Sequence, residues 1–406
     1  MTITFEDIQR AARAIAGKVP RTPFVRAATL SDLTGANVML KLETLQTTNA
    51  FKVRGALNKL LSLTPEECSR GVIALSAGNH AQAVAYHATQ LGITATIVMP
   101  ETTPWTKVER TRHFGATVEL AGETLAEARD HLNHLIEERG LVLVHPYNDP
   151  LVIAGQGTVA LEMLSEVPDL DTLIIPIGGG GLISGMAVAA RKINPDIKII
   201  GVELERYPSM HAALYNTGAE SGGSTLAEGI AVRDVGEIAI ELCRAHVDDI
   251  VLVGEAAVEN AVATLLSQEK LLAEGAGAAG VAAVLQDPAR WKGRNVGLVI
   301  CGGNLDQRML ASLIVRELGR DKRVVSLRFR IEDRPGVLGL ISSALGDQKA
   351  NILEVHHQRN LLDVPAKGAV LEITIETRGP NHADEIIAFM REQPYIASVS
   401  RLGAGE

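Results

Sequence analysis

Three segments share one local design: an apolar run, a loop containing glycine, then an amphipathic stretch. They are Leu75-Ser76-Ala77-Gly78-Asn79-His80, Ile177-Gly178-Gly179-Gly180-Gly181-Leu182 and Ile300-Cys301-Gly302-Gly303-Asn304. A strand that turns into a helix in this way leaves the first helical N–H groups without partners and gives the helix start a partial positive charge. Glycine lets an anion approach that backbone closely. Each loop is therefore a candidate anion seat, and the four successive glycines suit a phosphate. Any one of these loops could be only a tight βα turn, but three in one chain favour ligand binding. The glycine run is not GxGxxG and no GxxxxGK[ST] occurs, so that run supports neither a Rossmann nor a Walker site. A phosphate seat together with a lysine suggests a phosphate-bearing cofactor held as a Schiff base. The candidate is Lys52, in Asn49-Ala50-Phe51-Lys52-Val53-Arg54-Gly55, although by spacing alone a lysine on an amphipathic helix is ordinarily a solvated one.

The elements that must position these residues follow from hydrophobic periodicity. Up to about residue 320, short apolar runs alternate with Ala-rich amphipathic stretches. Val72–Leu75 precedes a helix over His80–Leu91, Ala95–Met99 a helix through Val108–Phe114, and Leu173–Ile175 a helix over Leu182–Lys192. Ile197–Val202 and Val296–Ile300 read as further buried strands, and Val258, Val262 and Leu265 fall on one helical face. This alternation predicts an α/β protein with largely parallel sheets. From about Val324 the pattern changes to a strict period of two, with Val325, Leu327, Phe329 and Ile331 on one face. A helix over Val337–Leu345, strands at Ile352–His357 and Leu371–Ile375, a helix over Ala383–Arg391 and a strand at Ile396–Ser400 complete a ferredoxin-like βαββαβ unit. Charges cluster at Gly319–Arg323, where the boundary is placed.

Composition bounds the partners. With 406 residues the chain is long enough for two or three domains. Its 39 Lys and Arg against 48 Asp and Glu give a net charge of −9, which disfavours nucleic acid or anionic membrane as a partner. Aromatics are only 3%, so the core must be built from Ala, Val, Leu and Ile. Cys68, Cys243 and Cys301 are widely spaced and form no CxxC pair, which argues against a disulfide framework or a zinc site. Thr172–Ala190 carries no charge and is long enough to span a bilayer, but Pro176 and five glycines make a continuous helix improbable. The first ten residues are polar, with no secretory h-region, so a soluble cytoplasmic location is expected. Asp130, His131 and His134 have helix-face spacing for a metal, but neighbouring charges favour a solvated face, and no metal is assigned.

Ala50-Phe51-Lys52-Val53-Arg54-Gly55-Ala56 resembles the SFKxRGA motif around the Schiff-base lysine of threonine dehydratases, pyridoxal-phosphate enzymes of the tryptophan synthase β-like fold (fold type II). Ser76-Ala77-Gly78-Asn79-His80-Ala81-Gln82 is similar to that family's substrate-carboxylate loop, and Pro176 through Leu182 to its phosphate loop. Glu274-Gly275-Ala276-Gly277-Ala278-Ala279 and Cys301-Gly302-Gly303-Asn304 match further segments in the same order. Asp333-Arg334-Pro335-Gly336 and Ala350–Arg359 resemble an ACT regulatory domain. The resemblance implies a two-subdomain α/β catalytic region over 1–320, with a small subdomain of approximately 48–150 inserted in the large one, and an ACT domain over 325–406.

It further implies that pyridoxal 5'-phosphate is bound covalently by Lys52, whose freed amine then takes the substrate's Cα proton. Phe51 would pack beside the cofactor and Asn79 would bond its phenolic oxygen. Gly178, Gly179, Gly180, Gly181 and the Leu182 N–H would hold its phosphate, which could also protonate the leaving hydroxyl. Ser76 and the N–H groups of Ala77, Gly78, Asn79 and His80 would hold the substrate carboxylate. Cys301 stands where many relatives place the serine that faces the pyridine nitrogen; a neutral thiol is a weak donor there and no counterion. Glu274, alone in an Ala/Gly run, is either beside the site or a paired buried carboxylate.

Four departures from the family pattern bear on the chemistry. Ala50 stands where the motif has serine, and Asn49 where glycine is common. Ala77 stands where related serine racemases carry a serine that serves the second face, which leaves racemisation without an evident second acid. Glu203 fits their metal-ligand pattern, but Tyr207 and Ser209 supply no carboxylate. The expected activity is elimination of water from L-threonine to give 2-oxobutanoate and ammonia, a step of the kind used in isoleucine biosynthesis. A branched-chain amino acid is the expected ACT effector and a homo-oligomer the expected assembly. A dehydratase of L-serine or 3-hydroxyaspartate, or a non-catalytic amino-acid-binding regulator, are the alternatives.

Overall fold

The apolar runs form the strands of three sheets in a computed structural model that describes residues 3–359, 365 and 367–401. The chain divides into two units, Met1–Leu305 and Asp306–Glu406. The first unit holds two sheets. The larger comprises β1 (Phe24–Arg26), β2 (Asn37–Leu42), β7 (Thr172–Pro176), β8 (Lys198–Leu204), β9 (Asp249–Val253) and β10 (Asn295–Ile300), in the order β1-β2-β10-β7-β8-β9. Only β1 pairs antiparallel. The smaller comprises β3 (Val72–Leu75), β4 (Ala95–Met99), β5 (Thr117–Leu120) and β6 (Val142–Leu143), all parallel, in the order β5-β4-β3-β6. Strands buried on both faces need no alternation, and β4 and β7 are buried at every position.

The uncharged stretch Thr172–Ala190 is split between β7 and the helix Gly181–Ile193. Among the described residues no helix is long and apolar enough to cross a membrane. The helix expected over Val108–Phe114 begins earlier, at Trp105, directly after Pro104, whose ring cannot continue a helix backward. Val258, Val262 and Leu265 share a buried face, but the α-helix ends at Thr264 and Leu265 opens a π-helical turn.

The helix Pro150–Glu166 is the spine of the first unit. Asp149 Oδ1 accepts from the N–H groups of Leu151 and Val152, and Pro150 occupies the first helical position, so cap and proline together fix where it starts. The helix Lys52–Leu60 crosses it at Gly55 and Gly155, where a Cβ on Gly155 would stand 2.6 Å from Gly55 Cα. The helix Gly181–Ile193 crosses it at Gly157 and Gly185, where a Cβ on Gly185 would meet the Ile153 carbonyl oxygen at 2.2 Å. Two backbone-to-backbone crossings on one rod leave little freedom in the spacing between the lysine helix and the glycine-loop helix. Arg54 adds a polar pin: its guanidinium, itself buried, donates to both oxygens of the buried Glu43 and to both of Glu162. Lys41 pairs with Glu162 and donates to the Thr22 carbonyl. Two cations and two carboxylates balance, which is the condition for burying charge.

The second unit carries β11 (Val324–Glu332), β12 (Asn351–Gln358), β13 (Gly368–Glu376) and β14 (Ile396–Arg401) in an antiparallel sheet of order β12-β13-β11-β14. With the helices Val337–Asp347 and Pro380–Arg391 this is the expected βαββαβ order. Leu327, Phe329, Ile331, Leu371, Ile373 and Ile375 form one core with Ile341, Leu345, Ile386 and Met390 of the helices. The helix Gln307–Arg320 groups with this unit.

Candidate active site

Lys52 is the first residue of its helix, and Phe51 precedes it as the cap. Its Nζ donates to the Pro146 carbonyl oxygen at 2.8 Å and stands 5.2 Å from the centre of the Phe51 ring. Burial pulls the ammonium down to about 8 from an ordinary 10.5. The loop carrying Lys52 is tied to the loop after β10. The Phe51 N–H donates to the Cys301 carbonyl (3.1 Å), and the Gly303 N–H donates to the Asn49 carbonyl (2.9 Å).

Pro146 links the lysine to the glycine loop, because the ring of the next residue, Tyr147, lies against that loop. A Cβ on Gly179 would stand 2.2 Å from the ring, and one on Gly181 would meet Tyr147 at 3.1 Å. Gly180 is in the left-handed region (φ 91°) and caps the helix Gly181–Ile193. A Cβ there would also meet Ala239 at 2.5 Å, so glycine is required twice over. The Tyr147 hydroxyl donates to the Asp234 carbonyl, and His145 Nδ1 accepts from the N–H groups of Tyr147 and Asn148. Leu182 is buried directly behind the loop.

The third loop opens the helix Asn79–Gln90 with Gly78 as its cap. Ser76 Oγ accepts from the Gly78 N–H at 3.3 Å. Helix geometry leaves the N–H groups of the first turn, from Asn79 onward, without intrahelical carbonyl partners. Asn79 uses both ends of its amide. Nδ2 donates to Glu274 Oε1 at 2.6 Å, and Oδ1 accepts from Asn304 Nδ2 at 2.6 Å. The His80 ring bonds the Val144 carbonyl. Burial, and then the charge of Lys52, hold it down at about 3, so it is neutral. Gly302 has no room for a side chain, since its Cβ would stand 2.2 Å from Glu274 Oε1. Burial pushes the Glu274 carboxyl up, against the Asn79 hydrogen bond. Cys301 is buried, its Sγ directed at the Ala276 carbonyl at 3.5 Å, and burial pushes the thiol up, so it is a neutral SH at pH 7.

The structure thus gathers Phe51, Lys52, Asn79, Gly178–Gly181, Leu182 and Cys301 at the carboxyl ends of β3, β7 and β10, the usual ligand position in parallel sheets. Ala77 and Ser76 sit in the same β3 loop, and Glu274 is beside Asn79 rather than paired with a cation at hydrogen-bond distance. Glu203 is elsewhere in its bonding: both its oxygens accept from the N–H groups of Met210 and His211. His131 pairs with Glu119 at 2.9 Å. The sequence reading missed His145-Pro146-Tyr147. Its signal was the Asn148-Asp149-Pro150 start of a helix directly after an apolar run, a fourth strand–loop–helix without a glycine.

Comparison with known proteins agrees with this geometry. The family profile "Pyridoxal-phosphate dependent enzyme" matches residues 15–302, and the ACT domain profile matches residues 320–401. An L-threonine ammonia-lyase of Thermotoga maritima is 45% identical over 386 residues, covering 95% of this chain and 96% of the relative. Among solved structures, threonine deaminase isoform 2 of Solanum lycopersicum aligns with a TM-score of 0.73 at 35% identity, covering 77% of this chain and 87% of that one. Maize serine racemase aligns with a TM-score of 0.73 at 34% identity, covering 79% and 99%. The α/β fold-type II catalytic region followed by an ACT domain is the architecture expected from the motifs.

Proposed function

We propose that this chain, which belongs to the pyridoxal-phosphate dependent enzymes, dehydrates and deaminates L-threonine to 2-oxobutanoate and ammonia. The observation that carries the reading is the junction of Lys52, Pro146 and Tyr147, which ties a lysine of depressed pKa to a glycine loop that has no space for Cβ atoms. These residues fit a phosphate-bearing aldehyde cofactor: an amine able to lose its proton, a backbone cradle for the phosphate, and a buried Asn304 Oδ1 still without a donor. Pyridoxal phosphate supplies, when bound, an electron sink that acidifies the substrate Cα–H and accepts its electron pair until the β-hydroxyl departs.

The residues of this chain supply holding, orientation and proton transfer. Lys52 anchors the cofactor and, once released as a neutral amine, takes the Cα proton at Nζ. The N–H groups of Gly178–Gly181 and Leu182 hold the phosphate at the start of a helix. Ser76 and the N–H groups of Ala77–His80 grip the substrate carboxylate and fix which bond at Cα is labile. Asn79, whose amide is held by Glu274 and Asn304, would bond the cofactor's phenolic oxygen through its remaining N–H. Cys301, as a neutral thiol, would place no negative charge at the ring nitrogen, so electron withdrawal would be weaker than with an aspartate there. That favours prompt loss of the hydroxyl. Ala77 offers no hydroxyl for a second proton transfer, which supports elimination over racemisation. The released aminocrotonate hydrolyses to the keto acid. The ACT domain is assigned to sensing a branched-chain amino acid, the assembly to a homo-oligomer and the location to the cytoplasm.

The test is a keto-acid assay across L-threonine, L-serine and 3-hydroxyaspartate, with and without isoleucine and valine, beside Lys52→Ala. The expected result is highest kcat/KM for threonine. In Lys52→Ala, turnover is lost and borohydride reduction attaches no cofactor to the chain. Preference for serine or 3-hydroxyaspartate replaces the substrate, and a fully active Lys52→Ala overturns the mechanism.

A further inference from the structure

The helix Trp105–His113 lies between β4 and β5 of the small sheet and presents Lys107 and Arg110, one turn apart, on the same face. Both reach segments on the large-sheet side. Arg110 Nη2 donates to Asn49 Oδ1, and Lys107 Nζ pairs with Glu228. The Glu274 carboxylate feels both cations. The two bridges differ in kind. Glu228 is 71% exposed, and an ion pair of that sort contributes little. Arg110 is half-buried, and its acceptor is neutral and rigidly held.

Asn49 is fixed at every polar group. Its N–H donates to the Gln46 carbonyl at 2.7 Å, its carbonyl accepts from Gly303, and its Nδ2 donates to the Thr44 carbonyl at 3.1 Å. It is also in the left-handed region, with φ 58°. A glycine would take that conformation without steric cost, and asparagine takes it less easily. What the asparagine adds is its side chain, and the free end of that side chain holds Arg110. The residue is three positions before Lys52 and hydrogen-bonded to the loop that carries Cys301.

We propose that Asn49 and Arg110 form a latch, a pair of positioning residues that fastens the small-sheet helix to the lysine loop across the site and sets how tightly cofactor and substrate are enclosed. The substrate arm of this inference rests on the threonine reading above; the cofactor arm does not.

The test uses the cofactor-loaded full chain with Asn49→Gly, Arg110→Met and both together. Glycine suits φ 58°, so Asn49→Gly removes the latch without straining the backbone. Each single variant is expected to raise KM for threonine about five- to tenfold, with kcat changed less, and to speed loss of cofactor to a scavenger by a similar factor. The double variant is expected to be no worse than Asn49→Gly alone, since Arg110→Met removes only a bond that Asn49→Gly already removes. Unchanged KM and cofactor loss, or effects that multiply in the double variant, overturn the latch, as does a lowered melting temperature with both readouts unchanged. If the parent chain makes no 2-oxobutanoate, the threonine reading fails and the cofactor-loss comparison still decides the latch.

Discussion

Lys52 has the properties that the chemistry proposed for it needs before any cofactor arrives. A lysine at 10.5 is neutral in about one molecule in 3000 at pH 7, whereas one at about 8 is neutral in roughly one in ten. Because burial lowers the pKa, the reactive neutral form gains as pH rises through 8 and is nearly complete above 9. The rate at which the cofactor-free enzyme takes up pyridoxal phosphate should therefore climb from pH 6, reach half its maximum near pH 8 and level off. Absorbance-monitored uptake across this range reads it; a rate still climbing above pH 10 would show an unperturbed lysine. Cys301 is the other residue whose ionisation matters. Cys301→Ser should stay within about tenfold in kcat, roughly 1.4 kcal/mol of barrier, because a hydroxyl can serve as the same neutral neighbour. Cys301→Asp puts a carboxylate beside Glu274 and the cofactor ring, and should increase racemised or transaminated by-products in a chiral product analysis. An unchanged product profile in that variant removes Cys301 from the ring's surroundings.

The glycines of the site do two different things at the scale of elements. Gly55, Gly155, Gly157 and Gly185 let three helices touch backbone to backbone, which fixes the spacing of their starts. Gly179 makes room for the Tyr147 ring, Gly181 lies close against the Tyr147 backbone and Cβ, and Gly180 supplies a left-handed turn. Gly179→Ala should lower cofactor affinity at least tenfold, because its Cβ would overlap the ring unless the loop or Tyr147 moves. Adding Tyr147→Ala removes the obstruction and should recover part of the affinity, read by titration of the cofactor-free protein. If the second substitution recovers nothing, the glycine is required by the phosphate seat itself and not by the tyrosine.

Two units with separate cores make up the whole molecule. The division falls at Leu305/Asp306, just before the helix Gln307–Arg320, which Asp306 caps through the N–H groups of Arg308 and Met309. A chain ended at Leu305 keeps every residue proposed for catalysis. It should still bind cofactor and convert threonine, while isoleucine or valine should shift the threonine saturation curve of the full chain alone. A ligand on the second unit can act only by binding one state better than another. Equal responses in the two chains, both loaded with cofactor, would eliminate the sensor. A change of subunit count on truncation, with no response in either chain, would assign the second unit to assembly.

Local sequence determined most of the elements and the residues proposed for chemistry. Capping and glycine's freedom act within a few residues, so the three strand–loop–helix seats, the four glycines among them, could be read from their own segments and the βαββαβ order from alternation, whereas Lys52, Asn79 and Cys301 were singled out by the resemblance of those segments to a known family. Only tertiary structure decided what those residues touch. The Lys52–Pro146 bond joins positions 94 apart and the Asn79–Glu274 bond positions 195 apart. Neither follows from local periodicity. The same is true of Tyr147 on the glycine loop and of Arg110 on Asn49. Such contacts depend on where the sheets and the glycine crossings bring distant loops together, and the residues that make them carry no distinctive spacing of their own.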